Sequence, residues 1–357
     1  MARIQKGFDA VTALLTWYDR SARVLPWRSL PGEVADPYHV WLSEIMLQQT
    51  TVATVGPYYN KFLERWPRVQ DMARADLDDV LANWAGLGYY ARARNLHKCA
   101  IEVSDRGGVF PDTEEGLQAL PGIGPYTAAA ISAIAFDRPV VPVDGNIERV
   151  TARYFALTTP LPTVKPELRK KARAFVSDHR PGDVAQGLMD LGATVCTPRK
   201  PTCPLCPLAD QCKGLARGVA DDLPKRLAKK PRPVRHAVMF WLTDAEGRVL
   251  LRKRPEKGLL GSMLGLPSTD WADQAGTTKE AESYAPAQLK WQALPGTVGH
   301  TFTHFHLETS VWTATTKRKP AAGDVWLLPE DLTNHAVPTL FRKVGKYVKQ
   351  PDQVTST

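Results

Sequence analysis

Two carboxylates and four thiols stand out as residues whose surroundings could support chemistry. Glu44 lies in YHVWLSEIMLQQT, residues 38 to 50, among Val40, Trp41, Leu42, Ile45, Met46 and Leu47. A carboxyl in such company is stripped of water, which favours its protonated form and suits a general acid. The same helical period also allows Glu44 to sit on a polar strip with Gln48, and the pattern divides evenly between the two. Asp144 stands in VPVDGNIERV, where Pro139 and Pro142 end one helix and Ile147 and Val150 mark the next. Taken alone, an aspartate at that place is a helix N-cap.

Cys196, Cys203, Cys206 and Cys212 fall within the stretch CTPRKPTCPLCPLADQC and are four of the chain's five cysteines. Thiols so bunched, in a chain expected to be cytoplasmic, point to metal rather than to disulfides. A single Cys-x-x-Cys knuckle with one cysteine on each side suits ligation of an iron–sulfur cubane. Structural zinc usually takes two paired knuckles, although spacing alone leaves zinc open. Cys99, outside the group, reads as an ordinary helix residue.

The elements that must position these groups divide in two. Of 357 residues, those up to about 215 carry apolar residues at helical spacing, punctuated by PGEVADP, GLG, DRGG and LPGIGP. The first such run, through Phe8, Val11, Leu15 and Tyr18, reads as an amphipathic helix rather than a signal peptide. Residues 222–236, DLPKRLAKKPRPVRH, read as a basic, proline-rich linker. Beyond it HAVMFWL, RVLLRKR, TFTHFHLETSVWTA and DVWLL have the β-branched and aromatic content of strands. The expected fold is multidomain: an all-α domain over 1–221, a smaller α+β domain over 237–350, and a tail over 351–357. No run is apolar enough to span a membrane, and the net charge of +9 favours a polyanionic partner.

LPGIGPYTAAAISAIAF, residues 120 to 136, adds a phosphate-binding device. Gly122 and Gly124 permit a tight turn and close approach to another surface, and Pro125 suits a first helical turn. The free N–H groups at that helix start offer a site for a DNA phosphate.

This hairpin, with the cysteine loop 196–212 after DVAQGLMDLGATV, resembles the helix–hairpin–helix DNA glycosylases of the endonuclease III superfamily. The resemblance implies a [4Fe–4S] cluster on Cys196, Cys203, Cys206 and Cys212, and gives Asp144 the place of the catalytic aspartate. VWLSEIMLQQT is similar, nearly letter for letter, to the signature of the MutY family of adenine DNA glycosylases, whose glutamate is the catalytic acid. By that resemblance Glu44 is the acid, and Tyr126 and Asn146 orient the sugar and the carboxylates. Trp27, Arg28 and Gln186 belong to the adenine pocket. Gln49, Tyr89 and neighbouring Leu87 meet the DNA beside the opposing base. A lysine nucleophile would make the enzyme a strand-cutting lyase; Tyr126 stands there, so base excision alone is implied.

RVLLRKRPEKGLLGSMLGLPS resembles the start of a Nudix-like domain, without an RExxEExG run to hold magnesium. Phe302, Thr303 and His304 in HTFTHFHL match the family's 8-oxoguanine sensor, with threonine in place of serine. The expected partner is duplex DNA with adenine opposite 8-oxoguanine or G, bound by a monomer. A bifunctional pyrimidine-lesion glycosylase/lyase, a Nudix-type nucleotide hydrolase and a non-catalytic DNA-binding protein are the competing readings.

Overall fold

The structure is a computed structural model that describes residues 9–228, 231–317 and 321–350. Phe8, Lys229 and Lys230 of the expected linker, and the 351–357 tail lie outside the described residues. Contacts divide the chain into two units: residues 1–74 with 98–229, and residues 75–97 with 230–357.

The first unit is helical. It opens with α1 (Ala10–Ser21), α2 (Pro37–Leu47), α3 (Val52–Arg65) and α4 (Val69–Ala73). The chain then enters the second unit as α5 (Leu77–Trp84) and returns along α6 (Ala91–Asp105). It continues as α7 (Glu114–Gln118), α8 (Pro125–Phe136), α9 (Gly145–Tyr154), α10 (Lys165–Ala172), α11 (Pro181–Thr194) and α12 (Lys213–Ala216).

Local chemistry sets the helix starts. Asp36 accepts the Tyr38 N–H at 2.7 Å ahead of Pro37, which opens α2. Thr51 and Thr113 cap α3 and α7 with their hydroxyls, each such cap contributing about 1 kcal/mol. α2 packs against α3 and α8, and every residue from Val40 to Met46 is buried. Glu44 therefore has no polar strip to share with Gln48; it is only 7% exposed.

α11 lies against α1, α8 and α9, and two of its glycines explain how closely. A Cβ on Gly192 would fall 2.6 Å from the Asn146 Cβ, and one on Gly182 would fall 2.8 Å from the Ala133 carbonyl oxygen. Both are shorter than carbon contacts tolerate, so the helices meet at backbone distance.

The second unit holds a seven-stranded sheet: β1 (Val234–Thr243), β2 (Val249–Lys253), β3 (Leu264–Gly265), β4 (Gln292–Ala293), β5 (Val298–Thr301), β6 (His306–Thr315) and β7 (Asp324–Leu327). β1 and β6 run parallel at its centre, paired from Val234↔His306 to Thr243↔Thr315. Among the described residues this unit also holds α13 (Thr278–Ser283), between β3 and β4, and α14 (Thr339–Lys349), after β7. Met239, Trp241, Leu307 and Val311 on one sheet face pack with Leu340, Phe341 and Val344 of α14.

The run TFTHFHLETSVWTA, expected as one strand, is two. β5 ends at Thr301, the Phe302 N–H donates to the Phe305 carbonyl at 2.9 Å, and β6 begins at His306. The antiparallel pairing Thr301↔His306 needs that turn, and the turn raises Thr303 and His304 to a hairpin tip.

Gly192→Ala is expected to lower stability by roughly 1–3 kcal/mol and to slow catalysis, because the added methyl pushes against Asn146. Thermal unfolding followed beside single-turnover rates checks both; an unchanged protein would contradict the close approach.

Candidate active site

Helices α2, α8, α9 and α11 surround a cavity of about 550 Å3. Its lining includes Glu44 from α2, Tyr126 from the first turn of α8, Asp144 and Asn146 from the start of α9, and Gln186 from α11. Trp27 and Arg28 complete the set that the sequence assigned to base and sugar, and Gln49, assigned beside the opposing base, lines the same cavity. Gln49 has a left-handed backbone, φ 58°, which places it just past the end of α2.

The two carboxyls differ in their partners. Glu44 is hydrogen-bonded to Tyr126, and burial raises its pKa to about 7, with a smaller contribution from Asp144 and an opposing one from Arg28. Asp144 is the α9 cap. It accepts the N–H of Asn146 at 2.9 Å, that of Ile147 at 2.7 Å, and the Asn146 side-chain amide at 2.9 Å. Burial raises this carboxyl too, but those three donors oppose it. Two backbone N–H groups at a helix N-terminus and one side-chain amide favour the anionic form of this cap. Burial also lifts the Tyr126 phenol well above its usual range, which keeps the hydroxyl protonated as a donor.

Three groups that the sequence did not single out support the site: Arg23 in the wall, and Asp190 and Arg149 behind it. Arg28 donates to Asp190 at 2.7 Å and Arg23 at 2.6 Å. Arg149, one turn beyond Asn146, donates to the Asn146 side-chain oxygen at 2.9 Å and to the Cys196 carbonyl at 2.7 Å. The spacing of Asp190 four residues after Gln186, and of Arg149 three after Asn146, was the available signal; both put a charge on a helix face already assigned to the site.

The four clustered cysteines line a second, smaller cavity in the same unit, and Cys99 is buried elsewhere. Buried Arg153 donates to the Cys196 Sγ at 3.3 Å and to the Thr197 carbonyl at 2.7 Å. Among the described residues no three Cys, His, Asp or Glu side chains converge as a single-ion site does. A cubane takes one thiolate at each of four irons and so holds its ligands farther apart. Four thiols around one cavity, with a guanidinium to offset their charge, fit such a cluster.

The remaining assigned residues lie in the second unit or on the hairpin before α8. Gly122 takes a positive φ of 79° in that turn, and Gly124 caps α8. Leu87 is buried, whereas Tyr89 is half exposed, with φ 49°. The Tyr89 hydroxyl is 2.8 Å from that of Thr303. Phe302 is packed by Trp271 at 5.5 Å and by His300 at 4.6 Å between ring centres, and His304 stands next to Thr303 at the exposed tip.

Residues 42–175 match the HhH-GPD superfamily of base excision DNA repair proteins, and residues 238–347 match the NUDIX domain. The chain is 36% identical to the adenine DNA glycosylase of Mus musculus, over 96% of this chain and 78% of that protein. It is 35% identical to the adenine DNA glycosylase of Homo sapiens, over 93% of this chain and 72% of that one. The chain belongs to the adenine DNA glycosylase family. It is a DNA glycosylase of base excision repair, with a helical glycosylase fold followed by a Nudix-like α+β fold. A thermostable thymine-DNA glycosylase shares the helical fold at 30% identity and a TM-score of 0.52, over 58% of this chain and 95% of that one. No helix among the described residues is long and apolar enough to cross a membrane.

A general acid works only while protonated. With Glu44 raised to about 7, the single-turnover rate of the glycosylase should be level below that pH and fall about tenfold per unit above it. Glu44→Gln should remove this dependence together with most of the rate. A wild-type rate that stays level to pH 9 would remove Glu44 from the acid's role.

Proposed function

We propose that this adenine DNA glycosylase acts on adenine opposite 8-oxoguanine or G in duplex DNA, and that it hydrolyses the N-glycosidic bond without cutting the strand. The observation that carries the mechanism is the pair of unlike carboxyls on one cavity. Adenine leaves poorly until a ring nitrogen is protonated, and Glu44, buried and with its pKa raised to about 7, supplies that proton at N7. Bond cleavage leaves positive charge on the sugar. Asp144, whose anionic form its three N–H donors favour against burial, stabilises that cation before water adds. Asn146 fixes the Asp144 carboxylate, and Tyr126 fixes Glu44. With a phenol in place of an amine at Tyr126, no Schiff base forms there.

The adenine must leave the helix to reach this cavity, at an expense of a few kcal/mol. Trp27, Arg28 and Gln186 would wall the extruded base. Gln49, Leu87 and Tyr89 would fill the stack beside the opposing base. The turn at Gly122 and Gly124 presents the N–H groups of α8 to a phosphate. In the Nudix-like fold the hairpin of Phe302, Thr303 and His304 would read the opposing lesion, the Thr303 hydroxyl meeting the N7–H that guanine lacks. Cys196, Cys203, Cys206 and Cys212 would hold a [4Fe–4S] cluster, whose contribution is to cross-link the DNA-facing loop. The protein would work as a monomer in the compartment that holds the DNA.

The test is an excision assay on duplexes carrying A opposite 8-oxoG, G, T or C, with wild type, Asp144→Asn and Phe302→Ala. Wild type should favour 8-oxoG and G, Asp144→Asn should be nearly inactive, and Phe302→Ala should lose preference for 8-oxoG. Full activity in Asp144→Asn would remove the site assignment, and strand cleavage trapped by borohydride would replace this reading with a lyase. Purified protein should contain about four irons per chain; two or fewer would exclude the cluster.

A further inference from the structure

Asp190 is fully buried on α11 and lies behind the cavity wall. Its Oδ2 accepts the Arg23 backbone N–H at 2.9 Å and the Arg28 guanidinium at 2.7 Å, while its Oδ1 accepts the Arg23 guanidinium at 2.6 Å. A carboxylate without water persists only when such donors surround it. The reverse also holds, since the Arg28 side chain is itself only 7% exposed and faces the cavity. Both arginines line the space where adenine would stand, and one buried anion anchors them.

We propose that Asp190 is a positioning residue: it fixes the Arg23 and Arg28 guanidiniums on the cavity wall and offsets their charge at Glu44. The charged and titratable groups around Glu44 come from every side. Tyr126 from α8, Asp144 from α9 and Arg28 from the segment before α2 act on it directly. Arg23 lines the same cavity and shares Asp190 of α11 with Arg28, and Arg149 of α9 is held on the Asn146 side chain. Arg28 already acts to lower the Glu44 pKa. Two cations without their counter-ion would lower it further and leave the acid ionised at neutral pH. With Asp190 in place, Arg28 keeps its remaining N–H groups for the base at little electrostatic expense to the proton donor.

The inference rests on Glu44 being the donor, and the experiment separates the two. Single-turnover excision of adenine opposite 8-oxoG is followed from pH 5 to pH 9 with metal-replete wild type, Asp190→Asn, Asp190→Glu, Arg23→Gln and Glu44→Gln. In Asp190→Asn the high-pH midpoint should fall by about one unit, giving about a tenfold loss at pH 8 with most of the rate retained at pH 5.5. Asp190→Glu keeps the charge and should restore a midpoint near wild type. Arg23→Gln removes a cation and should move the midpoint upward. This variant decides the matter if Asp190→Asn does not fold. A purely structural role for Asp190 predicts a uniform loss with the midpoint unmoved, and that result overturns the proposal, as does an unmoved midpoint in Arg23→Gln. An active Glu44→Gln would instead overturn the acid assignment itself, and this inference with it.

Discussion

Removing a carboxyl group from water strongly favours its neutral form, and the helical unit is organised around one such group. Glu44 cannot turn outward, because α2 is enclosed from Val40 to Met46. What surrounds it is therefore selected by electrostatics as much as by shape. Tyr126 offers a hydroxyl whose own ionisation is suppressed by burial. Asp144 is placed where a helix start supplies three N–H groups to hold a negative charge. Burial raises the pKa of both carboxyls on this one cavity, but only Asp144 has three N–H donors working against that rise. That division of labour is what breaking a glycosidic bond to a basic leaving group requires.

Keeping the two in register depends on α11. Because Gly192 lets this helix meet α9 at backbone distance, the residues of α11 and the Asp144 cap belong to one packed body. The same helix leads directly into Cys196, and Arg149 joins that cysteine's carbonyl to the Asn146 side chain. A disturbance of the cysteine loop would therefore be felt at the residue that holds Asp144, through two hydrogen bonds rather than through any chemistry of a cluster.

Much of this was legible because it is local. Pro125 after Gly124, and Asp144 two residues beyond Pro142, each state a helix start in a few letters, and the structure uses both. The burial of Glu44 was not local. Periodicity could not decide whether Glu44 was buried, because α3 and α8 bury it. The Asp190 pairings lie 167 and 162 residues away in sequence, beyond the reach of any spacing rule. The split of TFTHFHLETSVWTA was hidden for another reason: its alternation of aromatic, threonine and histidine residues continues through the turn, so composition alone marks no boundary.

Excising a normal base demands selection as well as chemistry, and on the proposed reading the second unit supplies it. The tip of the β5–β6 hairpin is exposed, yet its root is stiff. Phe302 is packed between Trp271 and His300, Arg254 lies 5.3 Å over Trp271, and Arg235 lies 4.6 Å over Phe305. His300 suits this packing because burial, with Lys343 nearby, lowers its pKa to about 4 and keeps the ring neutral. A cationic ring there would repel Lys343 and demand water that the aromatic cluster excludes. On the proposed reading, a hairpin set before DNA arrives loses little entropy on insertion, so the small difference between guanine and its oxidised form is not swamped by the expense of ordering the reader. Tyr89 joins this arrangement through its hydroxyl contact to Thr303. The residue proposed to enter the stack and the residue proposed to test the opposing base are thus hydrogen-bonded to each other.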